Sequence, residues 1–439
     1  MESEAVLRTK QSNVFRLKCS VQNYDWGIRG PDSAVARLFA LNSGSIVDSD
    51  KPYAEFWMGT HDSGPSFLIG AAENGGAVES DSTSLKSWVS ENPNSLGEKV
   101  VEKWGSDLPF LFKVLSVAKA LSIQAHPDKE LAKILHKLQP KAYRDANHKP
   151  EMALAITEFE ALCGFISLEE LKDVLRSVPE TVEMIGHEDT NRVLLLDDED
   201  EEEDLKSVLR SAFTQLMSAT KSMISGTISD LKRRLHSESE VRQLTAKELL
   251  VLRLEKQYPD DVGVIAAFFL NYVKLNPGEA LYLGANEPHA YISGECIECM
   301  ATSDNVVRAG LTPKFRDVQT LCAMLTYKLG FPEILQGVPV NPYITKYIPP
   351  FDEFEVDCCV LPEGASVLFP ASPGPSICLV ARGEGMMLPL ESLESDVISE
   401  GDVLFVAAKT EISITSEVEL LIFRTGVNSR FFDAFMNGK

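Results

Sequence analysis

The chain has 439 residues, enough for two or three domains and a large core, with the 44% hydrophobic and 24% charged content of an ordinary soluble protein. Its 42 Lys and Arg against 65 Asp and Glu leave a net charge of -23, which argues against nucleic acid or an anionic membrane surface as its main partner. No run approaches the ~20 apolar residues of a membrane span, and the N-terminus, MESEAVLRTKQSNVFRLK, has no signal-peptide core, so a cytoplasmic location is expected.

Up to about residue 165, short apolar runs such as LPFLFKVL (108–115) and EMALAI (151–156) alternate with Gly, Pro and Asn turn signals and read as strands. Helical spacing interrupts them at 84–89 and 129–137. Two polar fragments stand out here, SIQAHPDK (122–129) and NHKPE (147–151). Gln124 and His126 are two apart, which puts both on one face of a strand. Glu151 opens a strand directly after Pro150.

Residues 167–259 change to helical periodicity. Ser167 with Glu170 forms a capping box ahead of Leu168, Leu171, Val174, Leu175 and Val178. Leu205, Val208, Leu209, Ala212, Phe213 and Leu216 keep the same spacing. Thr245 with Glu248 caps a further helix that must end before Pro259. The acidic run at 197–204 lacks the alternation and glycine of a calcium loop, and reads as a solvated connection.

Strand character then returns and contains a repeat. GEALYL (278–283) aligns with GDVLFV (401–406) at a constant offset of 123 residues, as expected when one β-barrel unit occurs twice. This turn-acid-strand pattern resembles the second signature of cupin barrels. The offset sets Ile412 at the place of His289, so the second barrel is expected to lack that ligand and to serve as support. The eight cysteines include one CxxC, Cys296 and Cys299, and an adjacent pair, Cys358 and Cys359. Without a second CxxC at zinc-ribbon spacing, buried reduced thiols are expected.

Gln124, His126, Glu151 and His289 all fall at strand ends beside Pro or Asn turns, with His289 expected to end the apolar strand of the repeat. Two imidazoles, a carboxylate and an amide oxygen suit a divalent metal with room for water. Satisfied core histidines are the plain alternative. His148 is a further candidate ligand, but its spacing of three from Glu151 puts it on the other face of a strand. Arg308 and Asp304, four apart in SDNVVRAG, read either as a surface ion pair or as a fixed cation for an anionic intermediate or phosphate.

SIQAHPDK, NHKPE and NEPHAYISGECIECMATSDNVVRAGLTPK (286–314), with YDWG (24–27) and AEFWMGTH (54–61), together resemble type I phosphomannose isomerase. The likeness runs from about residue 15 to 313 and more weakly through the C-terminal barrel. It implies a mainly β fold of two cupin (jelly-roll type) barrels plus an inserted α-helical domain. The corresponding boundaries are a catalytic cupin at 14–165 and 263–330, a helical insertion at 166–262 and a non-catalytic cupin at 331–439. It further implies one zinc ion per chain on Gln124, His126, Glu151 and His289, and catalytic roles for Arg308, Lys149 and His148. Lys113, Ser122, Asp304 and Tyr291 are the expected substrate contacts. The implied reaction interconverts mannose 6-phosphate and fructose 6-phosphate through an enediol(ate), feeding GDP-mannose synthesis. The expected partner is therefore a small sugar phosphate, and a monomer is expected because no long apolar heptad is present. The competing readings are a cupin iron oxygenase and a sugar-binding cupin without catalysis. Gln124 and the cationic residues argue against the first, and the Arg308 and Lys149 pair against the second.

Overall fold

The computed structural model describes residues 13–69, 83–197, 199–390 and 395–436, with side chains followed to residue 433. Most of the N-terminal stretch behind the leader reading, and Asp198 of the acidic run, lie outside the described residues. The chain divides into two compact units. Residues up to 22, 29–114 and 337 onward form one, and residues 23–28 with 115–336 form the other. Among the described residues no helix is long and apolar enough to cross a membrane. None of the eight cysteines forms a disulfide, and all but Cys358 are buried.

In the second of these units the expected helical zone resolves into helices Leu168–Ser177, Pro179–Ile185, His187–Leu195, Glu202–Ser218, Lys221–Ser239 and Ala246–Gln257. Both capping boxes form. The Ser167 hydroxyl accepts from Glu170 N–H while the Glu170 carboxylate accepts from Ser167 N–H, and Thr245 and Glu248 exchange the same pair of bonds. The stripe Val208, Leu209, Ala212, Phe213 and Leu216 buries in one core with Leu171, Leu175, Ile228 and Leu254. Arg234 grips the buried Glu180 with two bonds of 2.8 Å each, fixing helix Lys221–Ser239 on Pro179–Ile185.

The strands of this unit are antiparallel and centre on one long element, His289–Ala301. Its first half pairs with Phe159–Phe165 and with Ile123–Ala125, and its second half with Glu151–Ala155. His289 thus opens its strand rather than ending one, because the repeat's apolar strand, Ala280–Leu283, stops earlier and a turn through Asn286 (φ 62°) intervenes. Gly294 lies inside the long strand (φ 106°) instead of forming a turn, and the register with Phe159–Phe165 slips just before it, between Tyr291 and Ser293.

The other unit carries an eight-stranded antiparallel sheet and a four-stranded one, Ser366–Phe369, Ile412–Ser416, Glu384–Pro389 and Asp396–Ser399. Its first strand, Val14–Lys18, pairs with Val403–Val406, and Arg16 reaches Asp396 at 2.9 Å and Asp402 at 2.6 Å. Helices Ala34–Ser43 and Glu98–Trp104 fall where strand and turn character is expected. The first carries its own signals, a Ser33 cap and Gly44 in the left-handed region. The expected barrels appear as antiparallel sheets with open strand orders, since these orders run from one edge to another without closing.

The 123-residue repeat is present in the backbone. Strands Ala280–Leu283 and Val403–Val406 match end to end, and His289 and Ile412 each open the following strand. The turns match too. Glu279 accepts from Asn276 N–H at 2.8 Å, and Asp402 accepts from Ser399 N–H at 2.8 Å, each beside a glycine, Gly278 (φ 87°) or Gly401 (φ 91°).

Because Val14–Lys18 depends on Val403–Val406, a chain stopped after residue 346 should expose a bare strand edge and aggregate. Light scattering of the purified truncated protein checks this, and a soluble, monodisperse, fully active product would refute it.

Candidate metal centre

The short strand Ile123–Ala125 organises the site through its register. Gln124 faces His289 on one side and Arg308, of strand Val307–Gly310, on the other. Residues directly opposite in antiparallel strands project to one face, so His289, Gln124 and Arg308 form a row across three neighbouring strands. Glu151 enters from Glu151–Ala155, opposite Met300 and Leu283. His126 follows directly after the short strand.

His126, Glu151 and His289 converge. His126 Nε2 lies 3.4 Å from Glu151 Oε1, and His289 Nε2 lies 3.3 Å from Glu151 Oε2. Their ligand atoms are all within 4.8 Å of one another, and none of the three residues is more than 1% exposed. His126 Nδ1 donates to Asn305 O at 2.7 Å and His289 Nδ1 to Glu287 O at 3.0 Å, which leaves both Nε2 atoms with lone pairs facing inward. His126 Nε2, His289 Nε2 and Glu151 Oε2 are buried and have no hydrogen-bond partner. Orphaned polar atoms in a protein interior cost about 1–3 kcal/mol each, and a divalent cation satisfies all three at once. Burial pushes His126 down to about 4, so it stays neutral as a ligand must be. Burial alone would raise Glu151, yet the Lys149 ammonium beside it holds it well below the usual carboxylate range. Two neutral imidazoles and one ionised carboxylate, with an amide oxygen in the same row, fit zinc.

Lys149 joins this group, its Nζ 2.9 Å from Glu151 Oε1. Arg308 is half-buried and has no ion pair among the described residues. Burial lowers its pKa, but a guanidinium stays charged. The Ser122 hydroxyl lies 3.4 Å from Gln124 Oε1. His148 sits in the irregular stretch before Glu151, near Asp128, and is not among the converging ligand atoms. Asp304 is exposed, and its N–H donates to Asp145 at 2.8 Å. Tyr291 is buried in the core against Phe159, and burial with the charges of Glu298 and Glu151 raises its pKa far above normal. Lys113 belongs to a buried set with Glu55 (3.2 Å) and the Trp57 ring (5.1 Å), and Trp57 Nε1 donates to the same carboxylate at 2.7 Å.

A second tier of hydrogen bonds surrounds the ligand residues, and its centre, Asp145, lies outside the motifs. Asp145 accepts from Ser303 Oγ (2.8 Å), Asp304 N–H (2.8 Å) and Asn305 Nδ2 (3.2 Å), while Asn147 donates to Thr302 O at 3.0 Å. These bonds fix the loop at 302–305, whose Asn305 carbonyl sets the His126 tautomer and which leads into Arg308. The one sequence signal was the density of Asp and Asn at 145–147 and 303–305, typical of side chains that bind nearby backbone.

The fold and site can be set against known proteins. Residues 14–168 match the catalytic domain of phosphomannose isomerase type I and residues 184–270 its helical insertion domain. Mannose-6-phosphate isomerase 1 of Arabidopsis thaliana is 62% identical over 95% of this chain and 94% of its own length. The mannose-6-phosphate isomerase of Homo sapiens is 41% identical over 94% of this chain and 98% of its own. Among solved structures, mannose 6-phosphate isomerase in the apo form from Salmonella typhimurium superposes with a TM-score of 0.78 at 28% identity, covering 95% of this chain and all of that one. A mannose 6-phosphate isomerase bound with zinc and yttrium gives the same TM-score of 0.78 and the same identity of 28%.

The Asp145 network predicts a ligand-orienting effect at a distance. Asp145→Ala should weaken zinc binding about 10–100-fold although every ligand remains. Competition with a chromophoric chelator measures it, and an unchanged affinity would show that the loop does not orient His126.

Proposed function

This chain belongs to the type I phosphomannose isomerase family, and from that premise we propose that it interconverts mannose 6-phosphate and fructose 6-phosphate. The observation that carries the reading is the convergence of three buried, unsatisfied ligand atoms on His126, Glu151 and His289 next to the row of Gln124 and Arg308. Those four residues, Gln124, His126, Glu151 and His289, hold one zinc ion per chain. Bound there, the metal supplies Lewis-acid polarisation of the sugar oxygens, worth several kcal/mol of barrier.

The reaction moves one proton between C2 and C1 of the open-chain sugar by way of an enediol(ate). A positioned base contributes on the order of 10²–10⁴-fold. Lys149 is assigned to this proton transfer, since its contact with Glu151 holds it at the centre. His148 is assigned to opening the ring. Arg308 presents a fixed fork of donors to the charge that develops on the enediolate oxygen. Ser122, Lys113, Asp304 and Tyr291 complete the proposed substrate contacts. We assign residues 14–165 and 263–330 to a catalytic cupin, 166–262 to the helical insertion, and 331–439 to a second cupin without a metal. The enzyme acts as a cytoplasmic monomer supplying mannose 6-phosphate to GDP-mannose synthesis.

Metal analysis of the purified protein with a coupled isomerase assay tests the core of this reading. One zinc per chain and activity abolished by a chelator are expected. His289→Ala with full zinc content and full activity would overturn the ligand set. For Arg308, Arg308→Ala should lower kcat by about 10²–10³-fold with zinc content unchanged. Arg308→Lys should recover only part of the loss, because a point charge cannot reproduce the guanidinium fork. A raised KM with unchanged kcat would reduce Arg308 to a phosphate holder.

A further inference from the structure

The repeat continues past its turn into a second pocket. Leu283 faces Glu151 as Val406 faces Ser376, and His289 faces Gln124 as Ile412 faces Phe369. Ser376, Ile412 and Phe369 therefore stand in the C-terminal sheets where Glu151, His289 and Gln124 stand in the metal centre. A hydroxyl, an alkyl group and a phenyl ring cannot replace that ligand set. The side chains around them have taken another form.

Beside Phe369 lies a cavity of about 340 Å³, lined among others by Arg424, Lys346, Glu355, Asp357 and Phe432. That volume falls at the lower end of small-molecule sites, roughly 300–1,000 Å³. Arg424, Glu355 and Asp357 are each only 8% exposed. Glu355 is satisfied, since it holds the Lys346 ammonium and accepts from Ser429 N–H (3.0 Å) and Oγ (2.7 Å). Asp357 is not. Its Oδ1 is buried without a hydrogen-bond partner, with Lys346 no nearer than 3.5 Å. The Arg424 guanidinium lies over the Phe369 ring at 5.4 Å, and among the described residues only its Nε is engaged, at 3.0 Å from Ser376 Oγ.

We propose that this cavity is a second binding site, specific for a neutral polyhydroxylated molecule of monosaccharide size. Inside the lining Lys346 and Arg424 stand against Glu355 and Asp357, with Asp433 exposed beside them, so an anionic ligand would find no positive charge to spare. Hydroxyl groups can donate to Asp357 Oδ1 and accept from the terminal N–H groups of Arg424 at the same time. The C–H face of a sugar ring or polyol finds apolar surface on Phe369 and Phe432. A phosphate would find Arg424, but it would also face two carboxylates.

Saturation-transfer NMR on the full-length, zinc-loaded protein tests the site, with methyl α-mannopyranoside and mannitol as probes, since neither can be isomerised, and inorganic phosphate as the charged comparison. Both neutral probes should bind wild type and Arg308→Ala alike. Asp357→Asn should weaken them about tenfold or more, the expected effect of losing one charge-assisted hydrogen bond. Ala371→Phe, at an exposed position of the lining, should block them while leaving isomerase activity and Tm unchanged. If Asp357→Asn fails to fold, Ala371→Phe decides alone. Absence of transfer in wild type overturns the proposal. So does binding that survives Ala371→Phe or disappears in Arg308→Ala, and so does binding of phosphate in place of the neutral probes.

Discussion

Strand His289–Ala301 is the element on which the site depends, because it is hydrogen-bonded to the segments that carry the other ligands. Its first residue faces Gln124 and its twelfth, Met300, faces Glu151. The register with Phe159–Phe165 slips between Tyr291 and Ser293, the pairing with Glu151–Ala155 starts at Cys296, and the strand changes partners around Gly294. A side chain there would meet Glu158 O at 2.3 Å, and the φ of 106° suits glycine alone. One backbone thus sets the spacing of groups that lie far apart in the chain.

The electrostatics of the centre follow from that enclosure. The protein is acidic overall, with a net charge of -23, yet the groups around Glu151 are two imidazoles and the Lys149 ammonium, with Arg308 in the neighbouring row. A carboxylate buried to 1% exposure is held ionised by the Lys149 ammonium. The cost of leaving both Nε2 atoms and one carboxylate oxygen unsatisfied is carried by the fold, and a bound cation would return it as stability. Global charge therefore says little about which ligand a pocket accepts.

The duplicated turn shows one backbone solution put to two uses. Glu279 and Asp402 close the same bond across the same glycine-containing turn, and the strands that follow begin with His289 in one copy and Ile412 in the other. The turn depends on local chemistry and was retained. The residue that opens the next strand differs between the copies, a candidate metal ligand in one and a core side chain in the other.

Sequence alone determined the elements whose causes lie within a few residues of each other. The capping boxes at Ser167 and Thr245, the helical stripe from Val208 to Leu216 and the repeated turn all rest on spacings of three or four. The family motifs likewise marked the fragments that carry the converging His126, Glu151 and His289. Tertiary structure decided what depends on register and on backbone atoms. The row of His289, Gln124 and Arg308 exists only once three strands are aligned, and the Asn305 carbonyl that fixes His126 carries no side-chain signature. The pairing of Val14–Lys18 with Val403–Val406 joins the two ends of the chain, a contact no local pattern encodes. Gly294 could be read as a turn for the same reason: a glycine permits both turn and strand, and only the strand packed against it selects one.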